Sequence, residues 1–224
     1  MLYRWHGFYE CISGLDAPKS IQPHRWINFN YYSGLMVKRI LLNKNYNWRR
    51  KRVHDIRIKT GRLLLRPLME EDADSIFEWV SDERVARYMV YTTYTDIEQV
   101  REWLAFISQN TSTYNFGFER LSDGLLIGSG DIGQGKKPGW WGFGYNFRYD
   151  CWGMGYATEA VKAMIDYTYE NFGARKFASS HCEPNIASGN VMKKCGLHFT
   201  GYGEFQKLDG SCKMRSMEYE GYFK

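Results

Sequence analysis

No stretch of this chain approaches the roughly 18 to 20 uncharged apolar residues that a helix needs to cross a bilayer. Its first thirty residues carry Arg4, His6, Glu10 and Asp16 where a secretory leader requires an apolar run. The expectation is a soluble, cytoplasmic protein. Cysteine is scarce and poorly placed for chemistry: Cys11, Cys151, Cys182, Cys195 and Cys212 are odd in number, scattered and free of any C-x-x-C pair. That argues against a disulfide framework, a zinc site or a dithiol centre, so reduced structural thiols and no metal are expected. What is present is enough for one domain and an extension, since 44% of the 224 residues are hydrophobic.

The net charge of +5 is unevenly spread. Residues 1–60 hold twelve Lys and Arg against Glu10, Asp16 and Asp55, a balance of +9 that leaves −4 for the remainder. Up to about Ile58 no period of 2 or 3.6 is sustained; there are only aromatic clusters such as Trp26 to Tyr32 and the basic run Arg49 to Arg52. Residues 1–57 are therefore read as a basic, aromatic-rich extension, dispensable for folding, with Met36 an alternative start. It offers a nucleic acid or the ribosome a point of contact. Residues 58–224 are the domain, monomeric or homodimeric.

From Arg62 the texture becomes regular. Leu63 to Leu65 reads as a short buried strand ending at Pro67, and Ala73, Ile76, Phe77 and Val80 recur at helical spacing. Thr95 to Glu98 has the spacing of a capping box ahead of a helix whose apolar face is Ile97, Val100, Leu104 and Ile107. Strands 114–121, 125–131 and 140–147 form an antiparallel meander. A long helical stripe from Ala157 to Phe172, closed by Gly173, leads to strand 176–182, then a short helix 187–195 and strands 199–205 and 213–219 around Asp209-Gly210. The order is β-α-α-β-β-β-α-β-α-β-β, a mixed α/β (α+β) fold.

Between strand 140–147 and the long helix lies Trp152-Gly153-Met154-Gly155-Tyr156-Ala157-Thr158-Glu159. A glycine loop opening directly into a helix attracts anions. The helix N-terminus presents unpaired N–H groups and partial positive charge, and glycine lets the backbone close on phosphate oxygens. The loop extends neither to G-x-G-x-x-G nor to G-K-[ST], and G-x-G alone is equally compatible with a structural turn. Its context is more specific. The loop stands where the general N-acetyltransferase (GNAT) fold keeps its [Q/R]-x-x-G-x-[G/A] motif, with Trp152 in place of Gln or Arg. W-G-x-G-Y-A-T-E-A resembles the version in the RimJ/RimL-like branch, the ribosomal-protein N-terminal acetyltransferases. Thr60 to Pro67 resembles that branch's T-x-R-L-x-L-R-P strand, Gly144-Tyr145 its G-Y, and Asn185 to Ser188 with Lys194 to Leu197 its N-x-A-S and K-x-G-[FM]. Four motifs occur in the right order across residues 58–224.

The resemblance implies a mostly antiparallel sheet splayed at the cofactor site and flanked by helices. It implies acetyl-CoA as co-substrate and direct attack by a primary amine in a ternary complex. The pyrophosphate falls to Trp152, Gly153, Met154, Gly155, Tyr156, Ala157 and Thr158. Pantetheine adds to the Tyr145 to Phe147 edge, and an N–H near Phe147 faces the thioester carbonyl. Asn185 orients the pantetheine arm and Ser188 lies by the sulfur as proton donor, because Met192 stands where many members have Tyr. Tyr145 and His181 complete the candidate catalytic set.

The branch often has a carboxylate two residues before its G-Y, where this chain has Gly142. Glu119, Asp131 and His181 are substitutes by position, or else structural residues. A base this inconspicuous suits an α-amine, with a pKa near 8 against about 10.4 for lysine. A protein N-terminus is therefore the expected acceptor. The alternatives are a small amine such as an antibiotic or polyamine, or a catalytically weak CoA-binding regulatory module. Trp140, Trp141 and Phe116 are either an aromatic acceptor wall or core.

Overall fold

The computed structural model describes residues 56–109 and 112–224. The extension 1–57, its basic run and Met36 lie outside the described residues, apart from Ile56 and Arg57. Ile56, two residues before the boundary read from the sequence, is buried in the domain core, and β1 (Ile58–Lys59) pairs with β2 (Leu63–Pro67).

After β2 come α1 (Ala73–Val80), a single turn α2 (Glu83–Ala86) and α3 (Ile97–Gln109). Helix α1 buries Ala73, Ile76, Trp79 and Val80, the 3–4 spacing of one helical face. At the start of α3 the capping box is shifted by one from the expected Thr95–Glu98. The Asp96 carboxylate accepts from the Glu98 N–H, while Gln99 Oε1 accepts from the amides of Thr95 and Asp96. Gln99 is one turn beyond the N-cap, the place from which a side chain can reach back.

Strands β3 (Thr113–Arg120), β4 (Leu126–Gln134) and β5 (Trp140–Phe147) form the expected meander. Then follow α4 (Tyr156–Phe172), β6 (Lys176–Cys182), α5 (Ile186–Lys194), β7 (His198–Gln206) and β8 (Lys213–Tyr222). Gly173, at φ 66° in the left-handed region, ends α4 as expected. The eight strands of the described residues make one sheet in the order β1-β2-β3-β4-β5-β6-β8-β7, antiparallel except at β5–β6. The short β1 and α2 were not foreseen.

The sheet carries a core on each face. On one, Val161, Met164 and Ile165 of α4 pack on Leu63, Leu65, Phe116, Phe118, Phe143, Phe147 and Phe177. On the other, Ile76 and Trp79 of α1 and Val100 and Leu104 of α3 pack with Leu126. Trp140, Trp141 and Phe116 are all buried, which settles their alternative readings in favour of core. Cys151, Cys182 and Cys195 are buried and unbridged, Cys212 half-buried and unbridged. No helix among the described residues is long and apolar enough to cross a membrane.

Candidate active site

The site is built where β5 and β6 part. They pair only at Trp140–Lys176, Trp141–Phe177 and Gly142–Ala178. Beyond that, β5 stays with β4 as far as Phe147–Gly128, and β6 stays with β8 as far as Cys182–Ser216. Each strand is held on its outer side, so a V opens between them. Ser179 Oγ, donating to the Phe143 carbonyl at 2.8 Å, ties β6 to β5 just past the last paired position. The splay expected from the resemblance is thus present, and β5 from Gly144 to Phe147 has an edge without a β6 partner.

At the mouth of the V the chain leaves β5 through a 3₁₀ turn (Tyr149–Cys151) into the glycine loop. Trp152 Nε1 donates to the Phe147 carbonyl at 2.9 Å, so the indole that replaces Gln or Arg ties the loop to the end of β5. Gly153 (φ 75°) and Gly155 (φ 84°) are both in the left-handed region, and a Cβ on Gly153 would meet nothing within 4 Å. Residues 152–155 are exposed and 156–158 half-buried. The first-turn amides of Tyr156, Ala157 and Thr158 have no carbonyl one turn back in the helix. An open backbone cradle at the positive end of a 17-residue helix fits a pyrophosphate.

Three residues that the sequence reading gave no role hold this loop. Arg62 Nη1 donates to the Met154 carbonyl at 2.9 Å, and its Nε to Glu159 Oε2 at 2.7 Å. Glu159 Oε1 also accepts from the Arg62 amide and from Thr60 Oγ1, at 2.8 and 2.6 Å. Burial works to raise the Glu159 pKa, but these bonds outweigh it and hold the carboxyl below its ordinary range. The T-x-R-L opening was visible as a motif; that it clasps the loop was not.

On the other side of the V, Asn185 is the N-cap of α5, its Oδ1 accepting from the Ser188 N–H at 3.4 Å. Its amide nitrogen is left to donate. Ser188 is half-buried, and its side chain is within reach of the Tyr145 hydroxyl. Tyr145 Oη donates to the Ser188 carbonyl at 3.3 Å, linking β5 to α5 across the gap, and burial raises its pKa. Met192 is buried in the core.

The three substitute bases differ. Glu119 is taken by Arg66, whose guanidinium also grips Asp72. His181 is buried beneath α5 and stacked on Tyr219 at 5.5 Å. Its Nδ1 is 2.8 Å from the Cys182 carbonyl, which fixes the Nδ1–H tautomer and leaves a buried Nε2 with no partner among the described residues. Burial lowers its pKa. Asp131, on β4 opposite Gly144 of β5, is half-buried and has no hydrogen bond or ion pair among the described residues. Burial pushes its carboxyl up to about 6. Nearby, Asn146 Nδ2 lies 3.5 Å from Tyr91 Oη, and Cys182 Sγ 3.9 Å from the Tyr88 carbonyl, so segment 88–91 spans the parting strands on the Asp131 face. Among the described residues no group of three or more His, Cys, Asp or Glu is placed to hold a metal.

This geometry has known relatives. The profile "Acetyltransferase (GNAT) domain" matches residues 62–198. The N-acetyltransferase p20 of Bacillus licheniformis is 31% identical over 156 residues, 67% of this chain and 88% of that protein. Among solved structures, the ribosomal-protein-S5-alanine acetyltransferase of Vibrio fischeri superposes with a TM-score of 0.64 at 14% identity, over 75% of this chain and 97% of that one. The spermidine N-acetyltransferase of Vibrio cholerae, in complex with CoA and spermine, gives 0.63 at 15% identity over 73% and 96%. The chain belongs to the GNAT acetyltransferase family and is an acetyl-CoA-dependent N-acetyltransferase.

Proposed function

We propose that the acceptor is the α-amine at the N-terminus of a protein, in the manner of the RimJ/RimL-like branch, and that it attacks acetyl-CoA directly in a ternary complex. The fold alone leaves the acceptor open, since one neighbour is a ribosomal-protein acetyltransferase and another a spermidine acetyltransferase. The observation that carries the reading is the chemistry of the sheet face beside the V. Asn115, Ser129, Asn146 and the Tyr91 hydroxyl on it are neutral, the facing β5 positions are Gly142 and Gly144, and Asp131 is the carboxylate among them. A polyamine brings several charges, each costly to desolvate unless a partner meets it. On the β4–β5 side of the V a single carboxylate suits an amine with a single charge, and Glu218, across the V on β8, is taken up by the Ser216 hydroxyl. The glycines leave backbone open to an extended peptide.

Acetyl-CoA supplies the activated acetyl group. Trp152 to Thr158 hold its pyrophosphate, the β5 edge up to Phe147 takes pantetheine and faces the thioester carbonyl with an N–H, and Asn185 donates to the arm from its free amide nitrogen. Ser188 protonates the departing sulfur. Tyr145 holds the Ser188 turn in place through its bond to the carbonyl. His181 packs beneath α5 and orders that helix.

The test is CoA release with a panel of acceptors: peptides with free N-termini, the same peptides N-terminally blocked but carrying lysine, and spermidine. Turnover is expected with free α-amines and lost on blocking. A higher kcat/KM on spermidine than on every peptide overturns the acceptor assignment.

A further inference from the structure

We infer that Asp131 is the general base of the transfer, acting from β4 in place of the β5 carboxylate that Gly142 lacks. The assignment rests on the cofactor placement above and extends it to the amine. In the β4–β5 ladder Asp131 stands opposite Gly144 and Gly133 opposite Gly142, so all four share one face of the sheet. Gly144 has no side chain to fill that position, and a Cβ there would lie 3.0 Å from Asp131 Oδ1. The carboxylate therefore lies across β5 two residues past Gly142, the last position paired with β6.

Face and direction agree with that role. Helices α4 and α5, which carry the glycine loop and Ser188, pack on the opposite face, with Val161, Met164, Ile165 and Met192 in its core. An amine reaching the thioester carbon from the face those helices leave free arrives on the Asp131 side. Sulfur then departs toward Ser188. Of the other carboxylates on the Asp131 side, Glu119 and Asp72 pair with Arg66, Glu78 with Arg148 and Glu220 with Lys137, while Glu218, opposite Ser180 on the far side of the V, accepts from the Ser216 hydroxyl.

The groups facing Asp131 from neighbouring elements are neutral: Asn115 on β3, Gly144 and Asn146 on β5, and the Tyr91 hydroxyl above. Lys207, which anchors segment 86–91 from the end of β7, spends its ammonium on the carbonyls of Ala86, Met89 and Tyr91. Burial alone raises the Asp131 pKa to about 6, near the operating range of a base at neutral pH. An ammonium becoming an amide sheds two protons. Asp131 takes the first, freeing the nitrogen lone pair to form the N–C bond. As the C–S bond breaks with its electrons on sulfur, Ser188 gives its hydroxyl proton to the thiolate, and the second proton shed by nitrogen passes through solvent to the Ser188 oxygen, so that Asp131 alone ends with an extra proton. Solvent then removes it.

The experiment is the pH dependence of kcat/KM for the acceptor in wild type and Asp131→Asn, with acetyl-CoA affinity measured by calorimetry. Wild type should inflect near pH 6. Asp131→Asn should lose that inflection, follow the acceptor's own ionisation, and fall on the order of 10²-fold while binding acetyl-CoA normally. Formate should restore part of the rate to Asp131→Ala, which a merely structural role would not allow. A wild type without the inflection, a variant at wild-type rate, or a slowed variant that keeps the inflection overturns the assignment. If the panel selects a small amine, the profile is run with that amine. The acceptor class and the base are then judged separately.

Discussion

Arg62 and Glu159, 97 residues apart in the chain, meet through the guanidinium Nε and the backbone amide of Arg62, at 2.7 and 2.8 Å. The same guanidinium holds the Met154 carbonyl, so the start of β2 fixes both the loop and the first turn of α4. Backbone amides aimed at a phosphate are useful only if they are aimed before it arrives. Arg62→Gln should therefore raise KM for acetyl-CoA about five- to tenfold and leave kcat nearly unchanged. The effect should shrink in high salt because the arginine is half-exposed. Glu159→Gln should do the same in kind, and a change confined to kcat would refute the loop-holding role.

Asn185 and Ser188 should fail differently. Asn185 both caps α5 and is assigned the pantetheine arm, so Asn185→Ala should cost about 1 kcal/mol of stability as well as raising KM for acetyl-CoA. The bonds that Ser188 makes through its amide and carbonyl both survive in Ser188→Ala. Its kcat should fall on the order of 10- to 100-fold at unchanged melting temperature, since a CoA thiolate leaves fairly well unaided. Steady-state kinetics beside thermal unfolding separates the two patterns.

The parts of the molecule that were legible in the string are those whose cause is local. The alternation of Trp140 to Phe147, the apolar stripe from Ala157 to Phe172 and the glycines of the loop each act within a few neighbours, and the element order followed from them. Thr60, Arg62 and Glu159 were visible only as motif letters, because their bonds join distant segments. Asp131 looked like one acid among several until the register set it opposite a glycine. The capping box was misplaced by one residue because Thr95 and Asp96 are both good caps, and only the reach of Gln99 decides between them. Ile58–Lys59 is too short to show a period at all.

Asp131 also predicts a stability change of definite sign. Its pKa rises from 3.8 to about 6 on folding, so between those values the native state binds more protons than the unfolded chain. Stability then falls as pH rises through that window. Asp131→Asn removes the effect. The variant should be more stable than wild type at pH 8, by at most about 3 kcal/mol and by less insofar as water reaches the carboxylate, with a smaller gain at pH 5. Urea unfolding at the two pH values measures it, and an equal gain at both would mean that the carboxylate is not held against its charge.

The contact beneath α5 gives a sharper test of how the fold sets the chemistry. A Cβ on Gly189 would lie 2.7 Å from His181 Nε2 and 2.9 Å from Tyr219 Oη, closer than any carbon is tolerated. The imidazole cannot turn aside, because its Nδ1 is held by the Cys182 carbonyl and its ring by the Tyr219 stack. In Gly189→Ala the helix must lift instead. That moves the neighbouring Ser188 and breaks the Tyr145–Ser188 bond, so the variant should lose about 1–3 kcal/mol of stability and a larger share of kcat than Ser188→Ala does. His181→Ala opens the space that the methyl needs. The double variant should be more stable and more active than the two single effects predict, a coupling that a double-mutant cycle measures directly. Strict additivity would show that the helix is seated by something other than this contact.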